Sequence, residues 1–256
     1  MDRSPSWTKP VIAGNWKMNK GPGAARVFVA EFAARYAPTD EQTVLIIPPA
    51  ISLAVVADAL SGRRDVQLGV QNIYWEKEGA FTGETSASMA KDAGASFALI
   101  GHSERRHVFG ETDEDVRRKV QAALKAGLTP VICVGETLDE RKAGKVTEVI
   151  TRQLSAAIDG FTADQAFAFL VAYEPVWAIG TGVTATPQDA SEAHAVLRNL
   201  LTQQLGEDGA AVPILYGGSV KPDNAESLLA AEHVDGLLIG GASLDPEGFA
   251  TICRRS

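Results

Sequence analysis

The sequence predicts a single α/β domain built on a parallel sheet. Short apolar runs rich in Val, Ile, Leu or Phe alternate with amphipathic stretches eight times, and no linker, low-complexity segment or charge block interrupts them. Apolar runs without polar alternation are what parallel strands buried on both faces look like, and amphipathic stretches between them are the helices that cover such a sheet. The length of 256 residues fits one (β/α)8 barrel of ~250 residues. A closed barrel and a doubly wound open sheet both satisfy the alternation.

The expected strands are Val11–Lys17, Val44–Ile47, Val66–Gln71, Phe97–Gly101, Pro130–Val134, Phe167–Tyr173, Ile214–Gly217 and Gly236–Ile239. Between them, Val116, Val120, Ala123 and Leu124 fall on one helical stripe, as do Val146, Val149, Ile150, Leu154 and Ile158. Thr112 with Asp115, and Thr137 with Glu140, have the spacing of capping boxes, which satisfy N–H groups that a helix start leaves unpaired. Thr186-Pro187 and Asp245-Pro246 place a capping side chain before a proline at the first helical position.

Composition narrows the function. A net charge of −8 excludes nucleic acid as the main partner, because phosphate neutralisation needs a basic face. No run of about 18 apolar residues spans a membrane, and the first ten residues have no apolar core of a signal peptide. Cys133 and Cys253 stand far apart, as free thiols do in a reducing compartment, so a cytoplasmic location is expected. The four histidines show no HxxxH or HExxH spacing, and no metal or cofactor is expected. Gly180-Thr181-Gly182-Val183-Thr184-Ala185 formally fits a dinucleotide fingerprint, but it starts well past its strand and no acidic strand end follows.

In either fold, chemistry belongs at the carboxyl ends of the strands. The first ends in Asn15-Trp16-Lys17, where strand alternation puts Asn15 and Lys17 on one face. That lysine either meets an anion or snorkels to water. The fourth ends at His102, followed by a polar segment that can open a helical turn; at a helix N-terminus its pKa is expected to fall, favouring neutral imidazole. The alternative is a histidine bonded to backbone. The sixth ends at Glu174, fixed by Pro175, where an isolated carboxylate in low dielectric is a strong base. The apolar segment Val176–Ile179 and the glycines 180 and 182 after it read as a lid, or as a packed connection over the rim. The last two strands end in the glycine pairs Gly217-Gly218 and Gly240-Gly241, whose N–H groups can approach a phosphate closely.

Four segments together, Gly14–Asn19, Gly101–Arg106, Tyr173–Gly182 and Tyr216–Val220, resemble the signatures of the triosephosphate isomerase family, in its order and spacing, and the likeness runs from about Lys9 to Ile252. The resemblance implies a single closed (β/α)8 TIM barrel. It also implies the reversible isomerisation of dihydroxyacetone phosphate and D-glyceraldehyde 3-phosphate through an enediolate, in glycolysis and gluconeogenesis, without a cofactor. That family is a standard example of a glutamate base working beside a neutral histidine. On this likeness Glu174 matches the base, His102 the electrophile, and Lys17 the ammonium that stabilises enediolate and phosphate charge, with Asn15 beside it. Glu104 matches a carboxylate near the lysine, and Ser103 a residue that holds the base while the lid is open. The phosphate site maps onto the backbone of Gly180, Ser219, Gly240 and Gly241, and the lid onto 175–184. Gly79–Glu84 resembles a loop that inserts into a partner subunit, so a homodimer through the loop around Thr82 is implied.

Residues 1–8 precede the family's usual start and are expected to be disordered, leaving 9–256 as the barrel. Val183 stands where many members carry a basic residue. Another phosphate-binding barrel, such as a Schiff-base aldolase, would need a lysine on a central strand, and the cores of the fourth to eighth runs have none. An inactive barrel used as a scaffold would have lost Lys17, His102 or Glu174, and all three are present.

Overall fold

The computed structural model describes residues 7–179 and 185–255. Eight parallel strands close on themselves in sequence order: β1 (Val11–Asn15), β2 (Thr43–Ile47), β3 (Val66–Val70), β4 (Phe97–Ile100), β5 (Thr129–Val134), β6 (Leu170–Tyr173), β7 (Ile214–Tyr216) and β8 (Gly236–Ile239). The barrel shuts by pairing β1 with β8, Val11 opposite Gly236 through Gly14 opposite Ile239. Around it run α1 (Pro22–Arg35), α2 (Leu53–Ala59), α3 (Ala87–Asp92), α4 (Ser103–His107), α5 (Asp113–Lys125), α6 (Leu138–Lys142), α7 (Val146–Ala157), α8 (Pro187–Leu205), α9 (Ala225–Leu229) and α10 (Pro246–Arg255). The closed barrel, not the open sheet, is the answer.

Alternation along each strand divides the apolar residues into two cores. Val11, Ala13, Leu45, Ile47, Phe97, Leu99, Val131, Cys133, Leu170, Ala172, Leu215 and Leu238 fill the barrel, while their neighbours Ile12, Val44, Ile46, Ile100, Ile132, Val171, Ile214 and Ile239 pack against the helices. The strands are therefore apolar on both faces, which is why their sequences show no polar alternation.

The caps form as their spacing requires. Thr112 with Asp115, Thr137 with Glu140, and Thr186 with Asp189 each exchange side-chain and backbone hydrogen bonds at the starts of α5, α6 and α8. Asp245 Oδ2 accepts the Gly248 N–H at 2.7 Å at the start of α10. Each such cap is worth about 1 kcal/mol.

Three expectations need correction. β1 stops at Asn15, because Lys17 turns into the left-handed region at φ 51°. That turn is tied by side chains: the Lys17 N–H donates to Asn15 Oδ1 at 3.0 Å, and Asn19 Nδ2 donates to the Trp16 carbonyl at 2.8 Å. β6 begins at Leu170, since residues 163–168 form a 3-10 turn capped by Thr162 and Gln165. The contacts of the barrel begin at Trp7 rather than Lys9: its indole is buried with the barrel-interior residues, and the Thr8 N–H donates to Thr43 Oγ1 at 2.7 Å. Residues 1–6 lie outside the described residues.

Candidate active site

The interior alternation continues one step past several strands and builds the floor of a mouth. Ala13, Ala172, Leu215 and Leu238 face inward, so Asn15, Glu174, Gly217 and Gly240, two residues on, face the opening at the carboxyl ends. All four line a cavity of about 550 Å³, together with Lys17, His102, Ser219 and Gly241. Gly180 and the rest of 180–184, Val183 included, lie outside the described residues; of the lid segment, Ile179 borders the cavity.

Glu174 and His102 meet at the bottom of it. Glu174 Oε1 lies 3.0 Å from His102 Nε2, and both side chains are almost wholly buried. The Ser103 N–H donates to Glu174 Oε2 at 2.8 Å. His102 is the N-cap of α4, and its Nδ1 accepts the Glu104 N–H at 3.2 Å. With Nδ1 an acceptor, the proton of the neutral ring sits on Nε2, facing Glu174.

The titration of this pair departs from the sequence expectation. Burial pushes the His102 pKa down, but the charge and hydrogen bond of Glu174 together push it up by more, so it lies above the ordinary histidine value. For Glu174, burial pushes the pKa up, while the charge and hydrogen bond of His102, the Ser103 N–H and Lys17 outweigh it and hold the carboxyl below its usual range. The expected depression of His102 considered the helix start alone. It left out a carboxylate resting on the ring.

Lys17 Nζ lies 2.6 Å from Glu104 Oε1. Its turn is held from below by Gln71, whose Nε2 donates to the Lys17 carbonyl at 2.8 Å and to the Ile47 carbonyl at 3.0 Å. Along the adjoining rim, past β7 and β8, the N–H groups of Ser219, Gly240 and Gly241 have no acceptor among the described residues. A Cβ on Gly240 would come within 3.5 Å of Lys17 Cε, and one on Gly241 would meet nothing within 4 Å, so the backbone here is open to a ligand. Among the described residues no three His, Cys, Asp or Glu side chains gather as a metal site requires.

Two site residues escaped the sequence reading. Gln71 is one. Glu136 is another: fully buried beyond β5, it accepts hydrogen bonds from Tyr173 Oη at 3.0 Å, Trp177 Nε1 at 2.7 Å and Arg141 Nη1 at 3.3 Å. It thereby anchors the start of the lid segment to the barrel. Its signal was a carboxylate two residues beyond a strand's carboxyl end. Gly217, singled out in the sequence for its N–H, has a further role, since a Cβ there would lie 2.9 Å from Glu174 Cγ.

A closed barrel whose mouth holds a carboxylate on an imidazole, a lysine and backbone N–H groups unpaired among the described residues defines a (β/α)8-barrel enzyme site suited to an anionic substrate. The family model described as triosephosphate isomerase matches residues 10–256, and the chain belongs to that family. It is 48% identical to the triosephosphate isomerase of Solibacter usitatus, over 95% of this chain and 98% of that protein. It is 49% identical to that of Symbiobacterium thermophilum, over 95% of each. The crystal structure of triosephosphate isomerase from Bartonella henselae superposes with a TM-score of 0.87 at 48% identity, covering 96% of this chain and 98% of that one.

Proposed function

We propose that the chain interconverts dihydroxyacetone phosphate and D-glyceraldehyde 3-phosphate, with Glu174 as the base and His102 as the electrophile. The observation that carries this reading is the buried contact between Glu174 Oε1 and His102 Nε2, 3.0 Å apart under a cavity with cationic and N–H walls. A buried carboxylate that leaves its partners becomes a stronger base. Moved from His102 and Ser103 to the substrate, Glu174 takes a proton from C1 of dihydroxyacetone phosphate. The electron pair left behind forms the C1–C2 double bond of an enediolate, and the charge goes to O2. His102 Nε2–H, released from Glu174, donates to that oxygen. Lys17 offsets the charge, and His102 moves the proton between O2 and O1. Glu174 returns its proton to C2, giving the aldehyde.

The phosphate is taken by the N–H groups of Ser219, Gly240 and Gly241 together with Lys17, and by Gly180 on the sequence likeness. Unpaired backbone donors suit a dianion because they add no side chain to order. Asn15 holds the Lys17 turn through its Oδ1 and faces the same cavity.

A homodimer through the loop around Thr82 belongs to the same reading. The loop closes on itself, with Phe81 against Tyr74 at 4.6 Å and the Tyr74 N–H donating to the Thr85 carbonyl at 2.8 Å, leaving Thr82 exposed. Met18, one residue past Lys17, is 95% exposed, and Val108 and Phe109 are also open, which leaves apolar side chains that a partner subunit can cover. Cys133 and Cys253, both buried and neither in a disulfide, support a cytoplasmic setting. Among the described residues no helix is long and apolar enough to cross a membrane.

The test is a coupled assay of the wild-type protein and Glu174→Asp. The wild type should turn over glyceraldehyde 3-phosphate. The variant should fold normally and lose about 100-fold in kcat, because the shorter side chain retracts the base by roughly 1 Å. Equal kcat in the two would remove Glu174 from the role of base.

A further inference from the structure

We infer that Arg106 is a positioning residue for the reaction, a buried fork that holds the backbone beneath His102 and the backbone beneath Glu174 in one frame. The inference rests on the isomerase reading above. Arg106 lies in α4, just after His102, and its side chain turns back under the site. Nε donates to the Gly101 carbonyl at 2.8 Å, Nη2 to the Cys133 carbonyl at 3.2 Å, and Nη1 to Asp113 Oδ1 at 2.7 Å. The side chain is 7% exposed, so all three nitrogens are spent on protein partners.

Each carbonyl leads to one of the two reacting side chains. The Gly101 carbonyl and the His102 N–H belong to one planar peptide unit, so fixing the carbonyl fixes the bond that leads to the His102 Cα. Gly101 sits at φ 72°, and a Cβ there would lie 2.8 Å from Val116 Cγ2 and 3.0 Å from Arg106 Nη2. The turn and the guanidinium are fitted to each other. On the other side, the Cys133 carbonyl shares its peptide unit with Val134, whose own carbonyl accepts the Glu174 N–H at 2.8 Å. Gly135 then packs so tightly that a Cβ would fall 1.8 Å from the Glu174 carbonyl oxygen.

The chemistry of the side chain matters. A guanidinium presents planar donors in a rigid fork, whereas an ammonium is a point charge that cannot hold three acceptors at these fixed angles. Asp113 supplies the counter-charge that a buried cation needs, and it is itself paired with Arg152 at the surface. Glu174 has to travel to the substrate while His102 stays in place, and Arg106 is what keeps their two backbones from shifting against each other.

Arg106→Ala and Arg106→Lys are to be assayed beside the wild type and Arg152→Ala, with folding followed by circular dichroism. A fork that merely staples the fold would lower the melting temperature and leave the kcat of folded enzyme alone. The positioning role instead gives kcat about 10- to 100-fold lower in both Arg106 variants, with KM within about threefold. Millimolar guanidinium should restore part of kcat in Arg106→Ala but not in Arg106→Lys, whose side chain occupies the site. Arg152→Ala should match the wild type. Should Arg106→Ala not fold, Arg106→Lys, which keeps the charge against Asp113, decides. A folded Arg106 variant with kcat within about twofold of wild type, or a loss carried by KM, overturns the inference. A wild type without turnover would instead sink the isomerase reading beneath it.

Discussion

Glu174 and His102 occupy each other: the oxygen that has to take a proton from carbon lies 3.0 Å from the ring nitrogen that has to face the substrate carbonyl. Neither group is free for the reaction until the two part. The Ser103 N–H and the ring hold the carboxylate at rest, so its departure frees both catalytic atoms together.

The first consequence concerns His102. Glu174 is the main upward influence on its pKa, set against burial and Lys17, which push it down. Glu174→Gln removes the carboxylate charge and leaves the downward influences. The His102 pKa, followed by NMR of the ring, is expected to fall below its wild-type value. A pKa that stays level or rises would show that the pairing does not govern the ring.

Gly217 leaves room for the base. A Cβ there would lie 2.9 Å from Glu174 Cγ and 3.2 Å from the Tyr173 carbonyl, and the strand behind cannot retreat. Gly217→Ala is expected to keep the fold and lower kcat roughly tenfold by displacing the carboxylate. Wild-type kcat in the folded variant would mean that Glu174 passes elsewhere.

A second histidine limits acid stability. His194 is fully buried behind the edge of Tyr173, and its Nδ1 lies 3.0 Å from the His233 carbonyl. Burial pushes its pKa down from 6.5 to about 4, although the hydrogen bond to the His233 carbonyl and the charge of Asp235 oppose the shift, while the charges of Arg198 and His233 add to it. The unfolded chain therefore binds the proton first, and stability falls as the pH drops from 6.5 towards 4. The full effect is roughly 3 kcal/mol. His194→Gln should flatten the melting temperature against pH across that window. An unchanged slope would place the acid sensitivity in other groups.

Thr82 tests the assembly. Thr82→Arg puts a long cation at the tip of the exposed loop and is expected to weaken the dimer. Sedimentation velocity reads this directly, and an intact dimer in the variant would move the contact away from this loop.

Much of the barrel was legible because its strands are apolar on both faces and its helices carry their caps in adjacent residues. Thr112 with Asp115, and Thr137 with Glu140, need only local spacing to form, and they do. The catalytic candidates were legible because each stands where an apolar strand ends. What was hidden depends on contacts across the chain. Lys17 leaves its strand because Asn15 and Gln71 fold the turn, and Gln71 is 54 residues away. Trp7 is held by the barrel interior, which no property of a short N-terminal segment announces. Arg106 looked like one of a charged cluster, and its buried carbonyl partners belong to Gly101 and to Cys133, 27 residues on. The direction of the His102 pKa was missed for the same reason, since the carboxylate that sets it comes from β6.

The claim that Glu174 moves a carbon-bound proton is tested most directly by running the isomerisation in deuterated water and reading carbon-bound deuterium in the triose phosphates by NMR. The expected result is deuterium at C1 of dihydroxyacetone phosphate and C2 of glyceraldehyde 3-phosphate with the wild type, and its near-complete loss with Glu174→Gln. Product and carbon-bound deuterium at wild-type levels with folded Glu174→Gln would contradict Glu174 as the base.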